Sequence, residues 1–283
     1  MTTMTTNRKL CLAGACAMAI AVPSLAEEAA QYVSPSGKKY FPQADEKNVV
    51  AEAQKKLDAD PKNVDLLIAL GDAYATVWNQ KASIAVYERA FALAPGKPLL
   101  HQQRGHRYLS IREFKKAHAD LEQAVKLDEK LAGAWYYLGV LRYVDGDFAG
   151  AAAAFEKNVS LAEKFESGIG GVDWQYMSLR RAKQDKQAAA LLERVTPDLK
   201  IEGSAQLYFN RLLFYKGLKM ESELVAAKLE DIQLSTLSYG IGNFHLYNGR
   251  PKEAKPYFEK AVSTTAWPAL AFIVGEVDLK RLR

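Results

Sequence analysis

The sequence predicts an all-α fold, a solenoid of about six antiparallel helix hairpins closed by helical caps. Three observations carry this expectation. Gly71, Gly105 and Gly139 follow one another at 34-residue intervals. Around each glycine, small, aromatic and aliphatic residues recur at fixed offsets, and the same pattern returns near the C-terminus at Ile241, Gly242, Ala254, Phe258 and Ala261. A stack of hairpins presents surface more readily than it encloses a reaction, so the period favours a binding scaffold over a catalyst.

The first 26 residues form a separate physical class. Arg8 and Lys9 follow a polar start, Leu10 to Val22 is apolar and uncharged, and Pro23-Ser24-Leu25-Ala26 precedes Glu27. Residues 1–26 therefore read as a secretory signal peptide cleaved after Ala26, too short to span a membrane. The alternative, lipidation at Cys16, leaves only the six residues Leu10 to Ala15 as apolar core. Both cysteines, Cys11 and Cys16, lie in this segment, so cleavage removes disulfides and thiolate chemistry together. Loss of Arg8 and Lys9 lowers the formal charge from +5 to +3, too mild and too interspersed for nucleic acid. The expected destination is the periplasm or the exterior of a bacterial cell.

Residues 27–45 carry Ser34-Pro35-Ser36-Gly37 and Phe41-Pro42 and are expected to be extended. Residues 46–283 then form the repeat domain, beginning with an amphipathic capping helix from Glu46 to Ala59. Repeat 64–97 places Leu67, Leu70, Gly71, Tyr74, Ser83, Tyr87, Ala90 and Pro95 at the recurring positions. Repeat 98–131 has His101, Arg104, Gly105, Tyr108, Ala117, Leu121 and Ala124 there; repeat 132–165 has Trp135, Leu138, Gly139, Arg142, Ala151 and Phe155. Glycine with small alanine or serine allows two helices to approach closely, and the larger residues fill the space between hairpins. Asp145-Gly146-Asp147 and Asn248-Gly249-Arg250-Pro251 supply non-helical turns.

These residues resemble the tetratricopeptide repeat family, which implies a right-handed solenoid. Repeats 64–97, 98–131, 132–165 and 235–268 match clearly. Residues 171–234 are read as degenerate repeats, pairing Trp174 to Lys183 with Lys186 to Val195 and Ala205 to Lys216 with Glu221 to Leu229. Gly168-Ile169-Gly170-Gly171 is expected to be a connecting loop, with a hinge as the alternative. Ala269 to Leu282, after Trp267-Pro268, supplies a last helix covering the end of the stack.

No motif favours catalysis. The glycine run at 168–171 lacks a phosphate-loop lysine, His101, His106, His118 and His245 lack zinc-ligand spacing, and Asp145 and Asp147 lack the ladder of a calcium loop. Neither cofactor nor metal is expected.

The resemblance implies a partner-binding concave face built from the first helix of each hairpin. Carried onto this chain, that face presents Asp72, Gln102, His106, Tyr136, Val140, Tyr143, Tyr239, Asn243 and Tyr247. The carboxylate clamp of chaperone-binding members requires lysine and asparagine where this chain has Ile68, Asp72, Gln102 and Gln103, so that clamp is not expected. Tyrosines offer flat apolar area with a hydroxyl, suited to a protein or peptide of the cell envelope, or alternatively to a polysaccharide during its assembly or export. Packing against a neighbouring repeat is the competing role for each tyrosine; Tyr74, Tyr108, Trp135 and Trp174 stand where the family packs its large residues.

Overall fold

A computed structural model describes residues 30–225 and 228–282. The expected signal peptide and its expected cleavage point lie outside these residues. Fourteen α-helices occur among them, and no helix there is long and apolar enough to cross a membrane.

The chain enters through a two-stranded antiparallel hairpin, β1 (Tyr32–Val33) and β2 (Lys39–Tyr40), turned by Ser34 to Gly37. Gly37 adopts φ +84°, a left-handed conformation that glycine takes without steric cost. Helix α1 (Val49–Ala59) follows, three residues later than the sequence suggests, its first turn capped by the Asp45 carboxylate.

Six hairpins come next. They are α2 (Val64–Thr76) with α3 (Gln80–Leu93), α4 (Pro98–Ser110) with α5 (Phe114–Leu127), and α6 (Ala132–Asp145) with α7 (Phe148–Ser160). Then α8 (Ile169–Arg181) pairs with α9 (Asp185–Glu193), α10 (Gln206–Tyr215) with the short α11 (Glu221–Val225), and α12 (Asp231–Tyr247) with α13 (Pro251–Ser263). Helix starts follow local chemistry: the Asn63, Asn79 and Asp147 side chains accept first-turn amides, and Pro98 and Pro251 occupy positions that need no donor.

All six intra-hairpin turns share one geometry. A residue with positive φ stands at Trp78, Arg112, Gly146, Lys183, Gly217 and Gly249. The next amide in each case returns to a carbonyl five residues back, as in Asn79 N to Tyr74 O and Gln184 N to Leu179 O, both 2.9 Å. The two worn hairpins therefore keep the turn of the clear ones, although the sequence marks only three of the six with glycine.

The 34-residue glycine period has a steric cause. A Cβ at Gly105 would meet Leu121 at 2.8 Å, one at Gly139 would meet the Phe155 ring at 2.9 Å, and one at Gly242 would meet Phe258 at 2.8 Å. Tyr87 crosses Gly71 in the same way, and Ser83 Oγ donates to the Gly71 carbonyl at 2.7 Å. Each glycine is a socket for the large residue of its partner helix.

The run at 168–171 is a correction to the expected loop. A short 3₁₀ turn, Glu166–Gly168, leads directly into α8, so Gly170 and Gly171 lie in its first turn. Gly171 is needed there because Asn158 and Val159 of α7 press against its missing side chain.

Helix α14 (Leu270–Arg281) departs furthest from expectation. It covers α13, as a terminal cap should, but also reaches back onto α12, α8 and α6, the first helices of their hairpins. The N-terminal hairpin then straps it down. Tyr32, Tyr40, Trp267 and Phe272 form an aromatic cluster, while Glu276 accepts from Tyr32 Oη at 2.8 Å and from Arg112 Nη2 at 2.8 Å. Hydrogen bonds from Lys81 N to the Gln31 side-chain Oε1 (2.9 Å) and from Gln43 N to Val77 O (2.7 Å) hold the same segment to the first hairpin.

Candidate functional site

The face made by the first helices is divided by α14 into a covered part and an open part. In the covered part, Asp278 of α14 is fully buried and accepts from Arg181 Nη1 (3.0 Å) and Nη2 (3.1 Å), Arg281 Nη1 (3.0 Å) and Tyr239 Oη (2.9 Å). Tyr143 Oη donates to Asn243 Oδ1 at 2.9 Å, and Arg181 donates to the same oxygen at 3.0 Å. Burial pushes the Tyr143 hydroxyl up to about 12.

This corrects the expected contact surface. Val140, Tyr143, Tyr239 and Asn243 are wholly buried, with the Tyr239 hydroxyl spent on Asp278 of α14 and the Tyr143 hydroxyl on Asn243. The carboxyl-terminal helix occupies the place a partner was expected to take. Tyr247 is also elsewhere, in an aromatic cluster with Tyr176, Tyr215 and Phe244 under the Arg180 guanidinium. Gln102 is turned onto Gly133 of the next hairpin, and Asp72 accepts from Tyr87 Oη at 2.6 Å. Trp174 is packed as expected, stacked between Phe155 and Tyr239; Trp135 is only half-buried, with Nε1 donating to Glu129 O at 2.8 Å.

The open part is a cavity of about 310 Å³ between α4, α6, α8, α10 and the first turn of α14. Of the nine expected residues it brings together His106 and Tyr136. They are joined by Tyr137, Trp174, Tyr208, Trp78 and Arg107. The His106 ring stacks on Tyr137 with centroids 3.9 Å apart, and Tyr136 stands edge-on to Tyr137 and Phe155 at 5.7 and 5.6 Å. Such pairs hold the rings as a rigid lining. Behind Tyr208 the buried Arg211 guanidinium lies 5.2 Å from the ring centroid and is paired with buried Asp173.

Arg107 is the residue that the repeat register misses. It stands one place beyond His106, at a position the family pattern does not assign to the groove. Its Nη1 donates to Gln80 Oε1 at 3.2 Å and its Nη2 to His106 Nδ1, while its buried Nε has no partner among the described residues. A guanidinium only donates, so His106 Nδ1 accepts and the ring proton sits on Nε2. Burial and the adjacent Arg107 charge hold His106 well below the usual histidine range.

Nothing in this arrangement pairs a nucleophile with a base, and among the described residues no group of three or more His, Cys, Asp or Glu side chains could hold a metal ion. The cavity offers flat apolar walls, hydroxyls and one cation, which is equipment for recognition.

Comparison with known proteins agrees with this architecture. Two models described as tetratricopeptide repeat match residues 103–162 and 236–265. The chain carries tetratricopeptide repeats. Among curated proteins, the chain is 29% identical over 136 residues to the heat-shock protein cognate co-chaperone sgt12 of Aspergillus fumigatus, covering 48% of this chain and 38% of that protein. It is 33% identical over 93 residues to the Hsp70-Hsp90 organizing protein of Triticum aestivum, covering 33% and 16%. The chain thus spans well under half the length of either relative. Among solved structures, the APC/C hetero-tetramer Cut9-Hcn1 aligns with TM-score 0.51 at 14% identity, over 83% of this chain and 40% of that one, a likeness of fold.

Proposed function

We propose that the protein is a non-catalytic scaffold, exported to the bacterial cell envelope, that holds a protein or peptide partner by inserting the partner's side chains into the cavity lined by His106, Tyr136, Tyr137 and Tyr208. One observation carries this reading: α14 covers the inner face at α6, α8 and α12 yet leaves aromatic rings bordering a cavity at its edge. A cavity of about 310 Å³ lies at the small end of ligand pockets and suits one or two side chains, not an extended chain laid along the groove. The kinship with co-chaperone and organizing proteins supports an adaptor role, and the signal-like residues 1–26 support export.

The test is affinity capture from envelope extract with wild-type, Tyr136→Ala and Tyr208→Ala baits of matched melting temperature. Both variants are expected to lose the same captured proteins; identical capture by all three baits overturns the reading. A glycan captured in their place would redirect the function to polysaccharide handling. Export is checked by sequencing the N-terminus of the protein recovered from fractionated cells, and a cytoplasmic protein that retains residues 1–26 refutes it.

A further inference from the structure

Among the described residues, several guanidiniums at contacts between helices are paired to carboxylates. Arg104 meets Asp120, Arg112 meets Glu276, Arg181 meets Asp278 and Arg211 meets Asp173. Arg107 makes no such pair among the described residues, although it lines the cavity and its Nε is buried without a partner. Arg107 is half-buried, and leaving a partly desolvated cation without a direct anionic partner is unfavourable, so the omission calls for a physical reason.

The surroundings of Arg107 position its charge through neutral acceptors, without a direct ion pair. Gln80 Oε1 and His106 Nδ1 are both acceptors on neutral groups, the second kept neutral by burial and by the guanidinium beside it. Asp72 attracts Arg107 through space but forms no direct ion pair with it. Asp72 takes the Tyr87 hydroxyl, and Asp173 takes Arg211. The rings of Tyr137 and Tyr136 border the same space, so an anion entering it meets a fixed cation beside a flat apolar wall.

We propose that the cavity between α4, α6 and α10 binds a carboxylate carried on a flat apolar group, with Arg107 supplying the charge and Tyr136, Tyr137 and Tyr208 the surface. The site deepens the partner-binding reading, on which its physiological use rests, and it is distinct from the lysine and asparagine positions at Ile68, Asp72, Gln102 and Gln103. The carboxylate belongs either to an acidic residue beside an aromatic one in a partner, or to a free aromatic acid.

The experiment uses the intact protein and an isosteric pair, acetyl-Phe-Glu-amide and acetyl-Phe-Gln-amide, with benzoate as the free acid. Binding is followed by NMR shifts and by quenching of the cavity-lining Trp174. The glutamate peptide is expected to bind about tenfold or more tightly than the glutamine peptide, the contribution of one charge-assisted hydrogen bond. Arg107→Gln should abolish that preference. Equal affinity for the two peptides overturns the carboxylate site while leaving side-chain insertion standing, and a preference surviving in Arg107→Gln overturns the role of Arg107. Because the peptide pair is measured on unaltered protein, an unstable variant does not rescue the proposal. Benzoate binding that shifts the Tyr137 and Tyr208 signals, with neither peptide bound, supports the carboxylate site and refutes the peptide-partner reading.

Discussion

Asp278→Ala tests whether α14 is locked onto the inner face. In the folded protein this carboxylate is 0% exposed and compensates the Arg181 guanidinium, itself 11% exposed, through two hydrogen bonds, with Tyr239 and Arg281 as further donors. Removing one member of a buried pair leaves the other charge uncompensated, at a cost of about 3–5 kcal/mol. For a domain of this size each kcal/mol shifts the melting temperature by about 2–4 °C, so the variant should melt about 6–20 °C lower. Lys97→Ala removes an exposed pair with Asp65 and should cost about 1 kcal/mol or less. Thermal unfolding followed by circular dichroism distinguishes them, and hydrogen exchange should show residues 270–281 opening first. Replacing both buried partners, Arg181→Met with Asp278→Leu, should recover most of the loss. If Asp278→Ala melts within about 2 °C of Lys97→Ala, the buried network is not what holds α14.

The remaining expectations concern the sockets, the neutral histidine and the strap. Gly139→Ala forces a Cβ against three Phe155 ring atoms at 2.9 Å and should destabilise by about 1–3 kcal/mol, whereas Gly170→Ala, with Tyr208 no nearer than 3.7 Å, should be neutral or stabilising by up to about 1 kcal/mol; urea titrations decide both. His106 has its folded pKa depressed below its unfolded value, so the unfolded state takes up the proton first and stability falls as pH drops below about 6.5 toward the folded pKa. The loss should approach about 1.4 kcal/mol for each pH unit in that window and vanish in His106→Gln, as read from denaturation midpoints against pH. Glu276→Gln weakens the acceptor shared by Tyr32 and Arg112 and should accelerate hydrogen exchange across residues 30–45 while α6 stays protected.

Much of the architecture was written locally. The sequence shows a glycine every 34 residues with a large residue 16 positions later. The structure shows that the large residue packs onto the glycine of its own hairpin, as Tyr87 does on Gly71 and Phe258 on Gly242, where the sequence reading places it between hairpins. The turns at Trp78, Arg112 and Lys183 were not legible, since their left-handed geometry is imposed by the flanking helices without glycine to announce it. The four-residue glycine run misled in the opposite direction: Gly171 reads as a breaker but serves close approach to α7.

The sequence by itself determined the repeat, the hairpin pairing and which helices face inward, because each depends on contacts between residues a few tens of positions apart. Only the tertiary structure decided what the inner face meets. Asp278 lies 97 residues from Arg181 and Arg281 lies 137 residues from Val144, so no repeat register encodes their contact. That long-range closure buries Tyr143, Tyr239 and Asn243, and what stays open is the cavity holding His106, Tyr136 and the carboxylate-free Arg107.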